Sequence, residues 1–316
     1  MLHQSEHVDV RRAALGVMKQ SLHVSIDQDK ARELAARWNP AATPATHPAP
    51  AELRAEGKAL FHLVQAALSF GTGWRQEFRG IQDPRDGLAV RLRRQFALAG
   101  APSAAHLSRI KPADCERILG ADPELEGASA PELVELQARA LRDLGRHLES
   151  HHRGEALRFL AETGGNLQGL VESCSALPFF HDVQRYRGVE VPFFWRSQCL
   201  ASELAAEFRD TPHQGWAEWE QYSISSDPRI VGVLVDAGIL RPEQGILSRL
   251  QAGEAIPAHS EREIELRAAA IVAVELMVHA LRRDGRPATA LGVDAWLRAD
   301  PRWCAAPRPR VRTVSY

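Results

Sequence analysis

From Ala268 to Val278 the chain reads Ala-Ala-Ala-Ile-Val-Ala-Val-Glu-Leu-Met-Val, apolar on almost every side of a helix. A helix with no polar face cannot lie on a surface, so it has to sit at the centre of a domain. Ser260-Glu-Arg-Glu263 marks its start as a capping box, Ser accepting from the backbone three residues on. The spacing predicts a helix from there to about Arg283. Glu275 interrupts the apolar run. A carboxylate at that depth must pair, bind a ligand or become neutral. Arg267 and Glu263 lie on the same side of the helix, so the three form either an internal ion network that holds the bundle or part of a ligand site.

The other segments read as helices that cover such a core. Ala, Leu, Arg and Glu dominate them, and β-branched alternation is scarce. Asp27 caps a helix over Gln28–Trp38, after a short strand or an extended lead-in at His23–Asp27. Pro40, Pro44, Pro48 and Pro50 make 39–50 a loop. Helical spacing returns over 51–68, 88–99, 103–107, 112–119, 131–152, 153–161 and 166–174, with a turn at 80–87 and a connector at 119–125. Pro192 is expected to open a helix that continues to Phe208. The fold class is mainly α: one large helical domain with few or short strands near the N-terminus and C-terminus. Residues 1–50 form an N-terminal helix and Pro-rich loop packed on the core, and 51–316 the helical ligand-binding and catalytic domain.

The formal net charge is −1 over 316 residues, so no basic field waits for a nucleic-acid backbone. No apolar run reaches the length of a membrane span, about 20 residues. Cys115, Cys174, Cys199 and Cys304 are far apart and form no C-x-x-C, which suits reduced thiols. With no signal-peptide pattern after Met1, the chain is expected to be cytoplasmic. The 13 histidines make no metal motif, and His151-His152, in a polar stretch, reads as surface. Neither a metal nor a cofactor is expected.

The chemistry centres on Asp227, in Tyr222-Ser-Ile-Ser-Ser-Asp-Pro-Arg-Ile. Asp before Pro caps a helix, and Gly238 can close it. The helix then holds a carboxylate at its positive end, where an anion is favoured. A fixed anion is what an enzyme needs against a developing sugar cation. Asp-Pro also occurs at 83, 122 and 300, where a plain turn or cap suffices. In Leu68-Ser-Phe-Gly-Thr-Gly-Trp74, Gly71 allows close backbone approach and Phe70 and Trp74 offer stacking surfaces. A helix end anchored by two core aromatics explains the same pattern. Between Pro178 and Leu204, aromatics alternate with Arg185, Arg187, Arg196, Asp182 and Gln198, which suits a planar polar ligand or a core seam with arginines reaching water. Arg308, Arg310 and Arg312 alternate at the end and would share one edge of an extended chain, fit for a phosphate or merely a basic tail.

Taken in order, these stretches resemble the queuosine salvage family, described as queuosine 5′-phosphate N-glycosylase/hydrolase. The similarity begins near Val24–Asp27 and passes through Leu68–Trp74. It is densest at Phe180-His-Asp-Val-Gln-Arg-Tyr-Arg-Gly-Val-Glu-Val-Pro-Phe-Phe-Trp-Arg-Ser-Gln198, and continues at Ser226–Ile230, Glu263–Ala268 and Arg312–Tyr316. The family is mostly α-helical and resembles helix-rich DNA glycosylases. The resemblance implies hydrolysis of the N-glycosidic bond of queuosine 5′-phosphate or a related 7-deazaguanine nucleotide or nucleoside, with queuine released for tRNA modification.

By the same resemblance Asp227 is catalytic. Ser69, Phe70, Gly71, Trp74, Asp182, Trp195, Arg196, Gln198, Arg229, Glu265, Arg267, Arg312 and Tyr316 bind substrate. The partner is a small-molecule nucleotide or nucleoside; neither nucleic acid nor membrane is expected. The chain departs from the family pattern at Ser69, where Asn is usual, at Trp195-Arg-Ser-Gln198 against Lys-Arg-Ala-Gln, and at Pro228 against Tyr. Its ending Pro309-Arg-Val-Arg-Thr313 replaces a His-His-Arg-Thr. These departures motivate the alternative of an altered or inactive paralogue that binds a deazapurine nucleoside or a protein partner.

Overall fold

The computed structural model describes residues 9–40, 46–77, 84–119 and 131–316. Among them fourteen α-helices carry most of the chain, as its composition predicts, and the strands are short. The first half contains α1 (Val10–Met18), β1 (Val24–Ile26), α2 (Gln28–Ala36), α3 (Ala55–Leu68), α4 (Pro84–Ala99), α5 (Ala104–Leu107), α6 (Pro112–Leu119) and α7 (Pro131–His152). Then come α8 (Ala156–Glu162), α9 (Leu167–Ser175), β2 (Val183–Tyr186), β3 (Val189–Pro192), α10 (Trp195–Glu207), α11 (Pro228–Asp236), β4 (Leu240–Pro242), α12 (Gln244–Ala252), α13 (Glu261–Arg283) and α14 (Ala290–Ala299). The described residues fall into two units. One is built from 9–40, 182–195 and 218–312, the other from 46–77, 84–119, 131–181, 196–217 and 313–316. Of the turn expected at 80–87, residues 80–83 lie outside the described residues, and 84–87 are instead the first turn of α4; the 119–125 connector falls mostly on 120–130, which also lie outside them.

The first unit is organised around α13, the helix with no polar face. Ser260 caps it by accepting from the Glu263 amide, and its residues from Glu263 to Val274 are all buried. Ala268, Ala269, Ala270 and Ala273 are fully covered, and these small side chains let neighbouring helices come close. α1, α2, α11 and α14 all pack against it. They bring Val10, Ala14 and Val17 from α1 and Ala31, Leu34 and Ala35 from α2. Each large aliphatic side chain covered this way contributes about 1.5–3 kcal/mol. An Ala270→Leu change would force off-rotamer packing at a cost of about 1–3 kcal/mol.

Two small antiparallel pairs complete this unit. β1 pairs with β4, Val24 opposite Pro242 and Ile26 opposite Leu240. β2 and β3 form a hairpin whose two turn residues, Arg187 and Gly188, have φ of 47° and 85°. Positive φ at both central residues is the mirror-image turn that matches strand twist. The hairpin corrects one expectation. Pro192 does not open a helix; it ends β3, opposite Val183. The Phe193 amide donates to the Asp182 carbonyl at 2.9 Å, so the chain stays extended until α10 begins at Trp195.

In the second unit, α3 is covered along nearly its whole length and packs against α4, α7 and α8. α7 turns the stripe Leu133, Ala140, Leu141, Leu144 and Leu148 inward. Charged groups are also held inside. Glu203 accepts from the His47 amide and Nδ1, both at 2.9 Å. Glu207 accepts from Lys58 at 2.8 Å, His62 at 3.2 Å and the Ala49 amide at 2.9 Å. These bonds fasten residues 47–49, a Pro-rich stretch with no helix of its own, to α10. No described helix is long and apolar enough to cross a membrane.

Candidate functional site

Asp227 stands where the sequence places it. Its backbone is extended, and Oδ1 accepts from the Arg229 amide at 2.8 Å as the N-cap of α11. Pro228 occupies the first helical position, where its missing N–H costs nothing. Ile230, Val231, Val233 and Leu234 anchor the helix in the core. Gly238, at φ 69°, takes the left-handed conformation that ends it, and the Ile239 amide closes on the Leu234 carbonyl at 2.9 Å. The Asp227 residue is 4% exposed.

The second carboxylate oxygen of Asp227 meets Arg298 Nη2 in an ion pair. Arg298 is on α14, and its Nε donates to Asp294 Oδ1 at 2.5 Å, one turn back. Asp294, 1% exposed, also accepts from Ser225 Oγ at 2.9 Å. Arg229 Nη2 donates to the Arg298 carbonyl at 2.5 Å. A continuous polar chain, Ser225–Asp294–Arg298–Asp227, therefore fixes the carboxylate from one side. Beside it Ser226 Oγ is fully buried and has no hydrogen-bond partner among the described residues. Such an orphan costs about 1–3 kcal/mol unless a water or ligand satisfies it.

Sequence reasoning did not single out Arg298, Asp294 or Ser226. The i,i+4 spacing of Asp294 and Arg298 on one helix was the available signal.

Next to Ser226 is a second buried pair. Arg267 clasps Asp182 through Nη1 at 2.9 Å and Nη2 at 2.6 Å. Its Nε donates to the Ser226 carbonyl at 3.3 Å, and its guanidinium lies 3.9 Å from the centre of the Phe193 ring. Glu263 is 3.7 Å away, so that part of the expected network forms. Asp182 Oδ2 also receives the Trp195 amide at 3.4 Å. Glu275 is not a member. It is half-buried, 2.8 Å from Arg11 Nε, and takes Ser223 Oγ at 3.3 Å. Burial raises its pKa, with Arg11 and Ser223 opposing. The apolar run could not reveal this, because α1 brings Arg11 from the far end of the sequence.

Glu265 is fully buried and takes five donors: Ser21 Oγ, the Leu22, His23 and Val24 amides, and Tyr186 Oη. Burial alone would raise its pKa; the hydrogen bonds outweigh burial and hold it down. The same burial and that carboxylate push the Tyr186 phenol up. His23, Glu261 and Glu265 bring possible metal-ligand atoms within 4.8 Å of one another. Glu265 is already saturated, His23 Nδ1 is 2.9 Å from Glu243, and Glu261 is 3.1 Å from Arg187. This cluster is a closed ion network rather than a cation site. Arg312 is exposed, whereas Arg308 and Arg310 are half-buried and the Arg310 carbonyl accepts from the Ile256 amide at 2.8 Å.

The remaining residues belong to the second unit. Ser69 caps the end of α3 and donates to the Gln65 carbonyl at 2.7 Å. Phe70 and Trp74 lie in a core cluster with Leu133, Ala140 and Phe179. Gly71 has φ 108°, and a Cβ there would lie 3.0 Å from Leu133. Its amide donates to the Tyr316 carbonyl at 3.3 Å, which ties the last residue of the chain to this loop. Arg196 is 1% exposed and donates to the Ala67 carbonyl at 3.2 Å, 4.9 Å from the centre of Phe180 and 5.4 Å from that of Phe70. Gln198 is buried on the same helix. His152 corrects the reading of His151-His152 as surface. It is 6% exposed, because α8 folds Phe159 back over its ring.

A family model described as queuosine salvage protein matches residues 88–314. That span includes Asp182, Trp195, Arg196, Gln198, Asp227, Arg267 and Arg312, but not the 69–74 loop or Tyr316. A Sphaerobacter thermophilus protein named queuosine 5′-phosphate N-glycosylase/hydrolase is 33% identical over 251 residues, 77% of this chain and 75% of its own. A Schizosaccharomyces pombe protein of the same name is 28% identical over 166 residues, 52% of this chain and 47% of its own. One from Mus musculus is 24% identical over 146 residues, 46% of this chain and 43% of its own.

Proposed function

This chain belongs to the queuosine salvage protein family, and from that premise we propose that it is an N-glycosyl hydrolase acting on queuosine 5′-phosphate. The carrying observation is a nearly dry carboxylate, Asp227, which caps the N-terminus of α11 in a chain 33% identical to a protein of that name. The reaction breaks the bond between the ribose and the deazaguanine nitrogen. The bonding pair leaves with the base, and the sugar becomes oxocarbenium-like. Asp227 faces that cation and takes the proton of the attacking water, whose oxygen then bonds to the sugar. A 7-deazaguanine has no basic nitrogen at position 7, so the departing charge must be met by hydrogen bonds at other atoms.

Arg298 and Asp294 are positioning residues in this reading. They hold the Asp227 carboxylate in one orientation without touching substrate. Ser226 Oγ, otherwise unpartnered, binds the attacking water or a ribose hydroxyl. Asp182 and Arg267 satisfy each other and set the backbone at Ser226. Arg312 is proposed to meet the phosphate. The near-neutral charge favours a free nucleotide over a polymer, and the cytoplasm is the proposed compartment.

The test is incubation of the full chain with queuosine 5′-phosphate, followed by chromatography for free base. Release by the wild type and none by Asp227→Asn supports the reading. Tight binding without release supports the altered paralogue instead.

A further inference from the structure

The chain is buried without a break from Tyr222 to Pro228, yet its part from Tyr222 to Asp227 belongs to no helix or strand. A buried stretch with no ladder of its own must find its hydrogen-bond partners elsewhere. Several come from the other end of the sequence. Arg11 of α1 donates through Nη2 to the Glu220 carbonyl at 2.5 Å and to the Tyr222 carbonyl at 2.9 Å. Its Nε lies 2.9 Å from Ser223 Oγ and 2.8 Å from Glu275 of α13, and Ser223 Oγ reaches the same Glu275 oxygen at 3.3 Å. Val10, Ala14 and Val17 seat α1 in the core, so the guanidinium works from a fixed base. Further along, Ser225 Oγ donates to Asp294 and the Ser226 carbonyl accepts from Arg267. Arg11 is the upstream tie of the stretch that delivers Asp227.

We propose that Arg11 is a positioning residue for the hydrolysis: it fixes residues 220–223, and through them the orientation in which Ser226 and Asp227 meet the substrate. The inference rests on the reading of Asp227 as the reacting carboxylate. An ion pair with Glu275 would need only one contact. The bonds to the Glu220 and Tyr222 carbonyls go instead to the backbone of the lead-in, and a guanidinium can make them together because its donors form a planar fork. A lysine is a point charge on a flexible stem and cannot span the same points. Asp227 caps α11 only with extended backbone, which it has. Slack upstream lets that backbone turn, and a shift of about 1 Å at a reacting group can cost about 10²-fold in rate. Arg11 therefore acts on turnover without touching the substrate.

The test makes two measurements on the full chain. Hydrogen exchange read by mass spectrometry follows the amides of 222–227, and steady-state kinetics on queuosine 5′-phosphate gives kcat and KM. Arg11→Gln should speed exchange across that stretch about tenfold or more, and lower kcat about tenfold with KM within about twofold of wild type. This change leaves Glu275 without its counter-charge, so Arg11→Gln/Glu275→Gln is measured beside it and should behave alike. Arg11→Lys should recover less than about half of the lost kcat. Arg12→Gln, the exposed neighbour on α1, should match wild type. Circular-dichroism melts check that each variant is folded. A folded Arg11→Gln with wild-type exchange over 222–227 overturns the proposal. So does faster exchange with wild-type kcat, or a rise in KM alone. A wild type that releases no base overturns the hydrolase reading instead, and the exchange rates still decide whether Arg11 holds the stretch.

Discussion

Asp182–Arg267 and Asp227–Arg298 lie in the same unit and pair the same two residue types, yet their surroundings differ. In the first, two parallel bonds of 2.9 and 2.6 Å join side chains that are each 2% exposed. Phe193 covers the guanidinium, and the Trp195 amide takes up further acceptor capacity. In the second, one guanidinium nitrogen and one backbone amide hold a carboxylate whose side chain is 6% exposed, against an arginine at 18%. An unpartnered hydroxyl, Ser226 Oγ, lies one residue away. A pair whose partners are all protein groups can only hold the fold. A pair with capacity in reserve can hold a reacting group and also receive a ligand.

The strongest way to break this contrast is to remove each acid in turn. Asp227→Asn is expected to lower turnover of queuosine 5′-phosphate by about 10³-fold, the scale of losing one principal charge-stabilising group. Its melting temperature should hardly move, since Asn caps a helix as well as Asp. Asp182→Asn should do the reverse. It leaves Arg267 buried without its counter-charge, at a cost of about 3–5 kcal/mol in denaturant unfolding. If Asp182→Asn remained stable but lost all activity, the division between the two pairs would be wrong.

Arg298→Gln sharpens the contrast at a smaller scale. It should lower kcat by about 10–100-fold with KM little changed, because a positioning group lost mainly from the transition state moves kcat. Loss in KM alone would instead mark Arg298 as a substrate contact. Ser226→Ala separates stability from activity within one residue. Deleting an unsatisfied hydroxyl should raise stability by up to about 1 kcal/mol, while turnover falls.

The second unit supplies the smallest test, in which a buried acid is purely structural. Burial would push the Glu207 carboxyl up, but the bonds from His62, Lys58 and the Ala49 amide outweigh it and hold the pKa down at about 2. A depressed folded pKa stabilises fully above the ordinary value of 4.5 and loses its contribution as pH falls from there through about 2. Glu207→Gln should therefore cost about 1–2 kcal/mol at pH 7. The gap from wild type should close between pH 4.5 and 2 in acid-unfolding curves. A pH-independent gap would assign the loss to packing.

Where a feature depends on a few adjacent residues, the sequence was legible. Asp227-Pro228 with Gly238 bounded α11, Ser260 with Glu263 opened α13, and Asp27 capped α2. Each is a local competition for backbone hydrogen bonds. Pro192 misled because the same residue suits a helix start and a strand end, and Val183 and Asp182 decided between them. Phe70 and Trp74 read as stacking surfaces or as core anchors, and both are buried in the cluster around Leu133.

Sequence alone determined that this chain is helical, that α13 is central, and that a carboxylate caps α11. These follow from periodicity and from which backbone groups a helix end leaves open. Tertiary structure decided which charge answers which: Arg298 rather than a near neighbour for Asp227, Arg11 for Glu275, and five donors from two separate stretches for Glu265. A buried charge takes whatever partner packing brings within reach, and packing brings together residues that are distant along the chain.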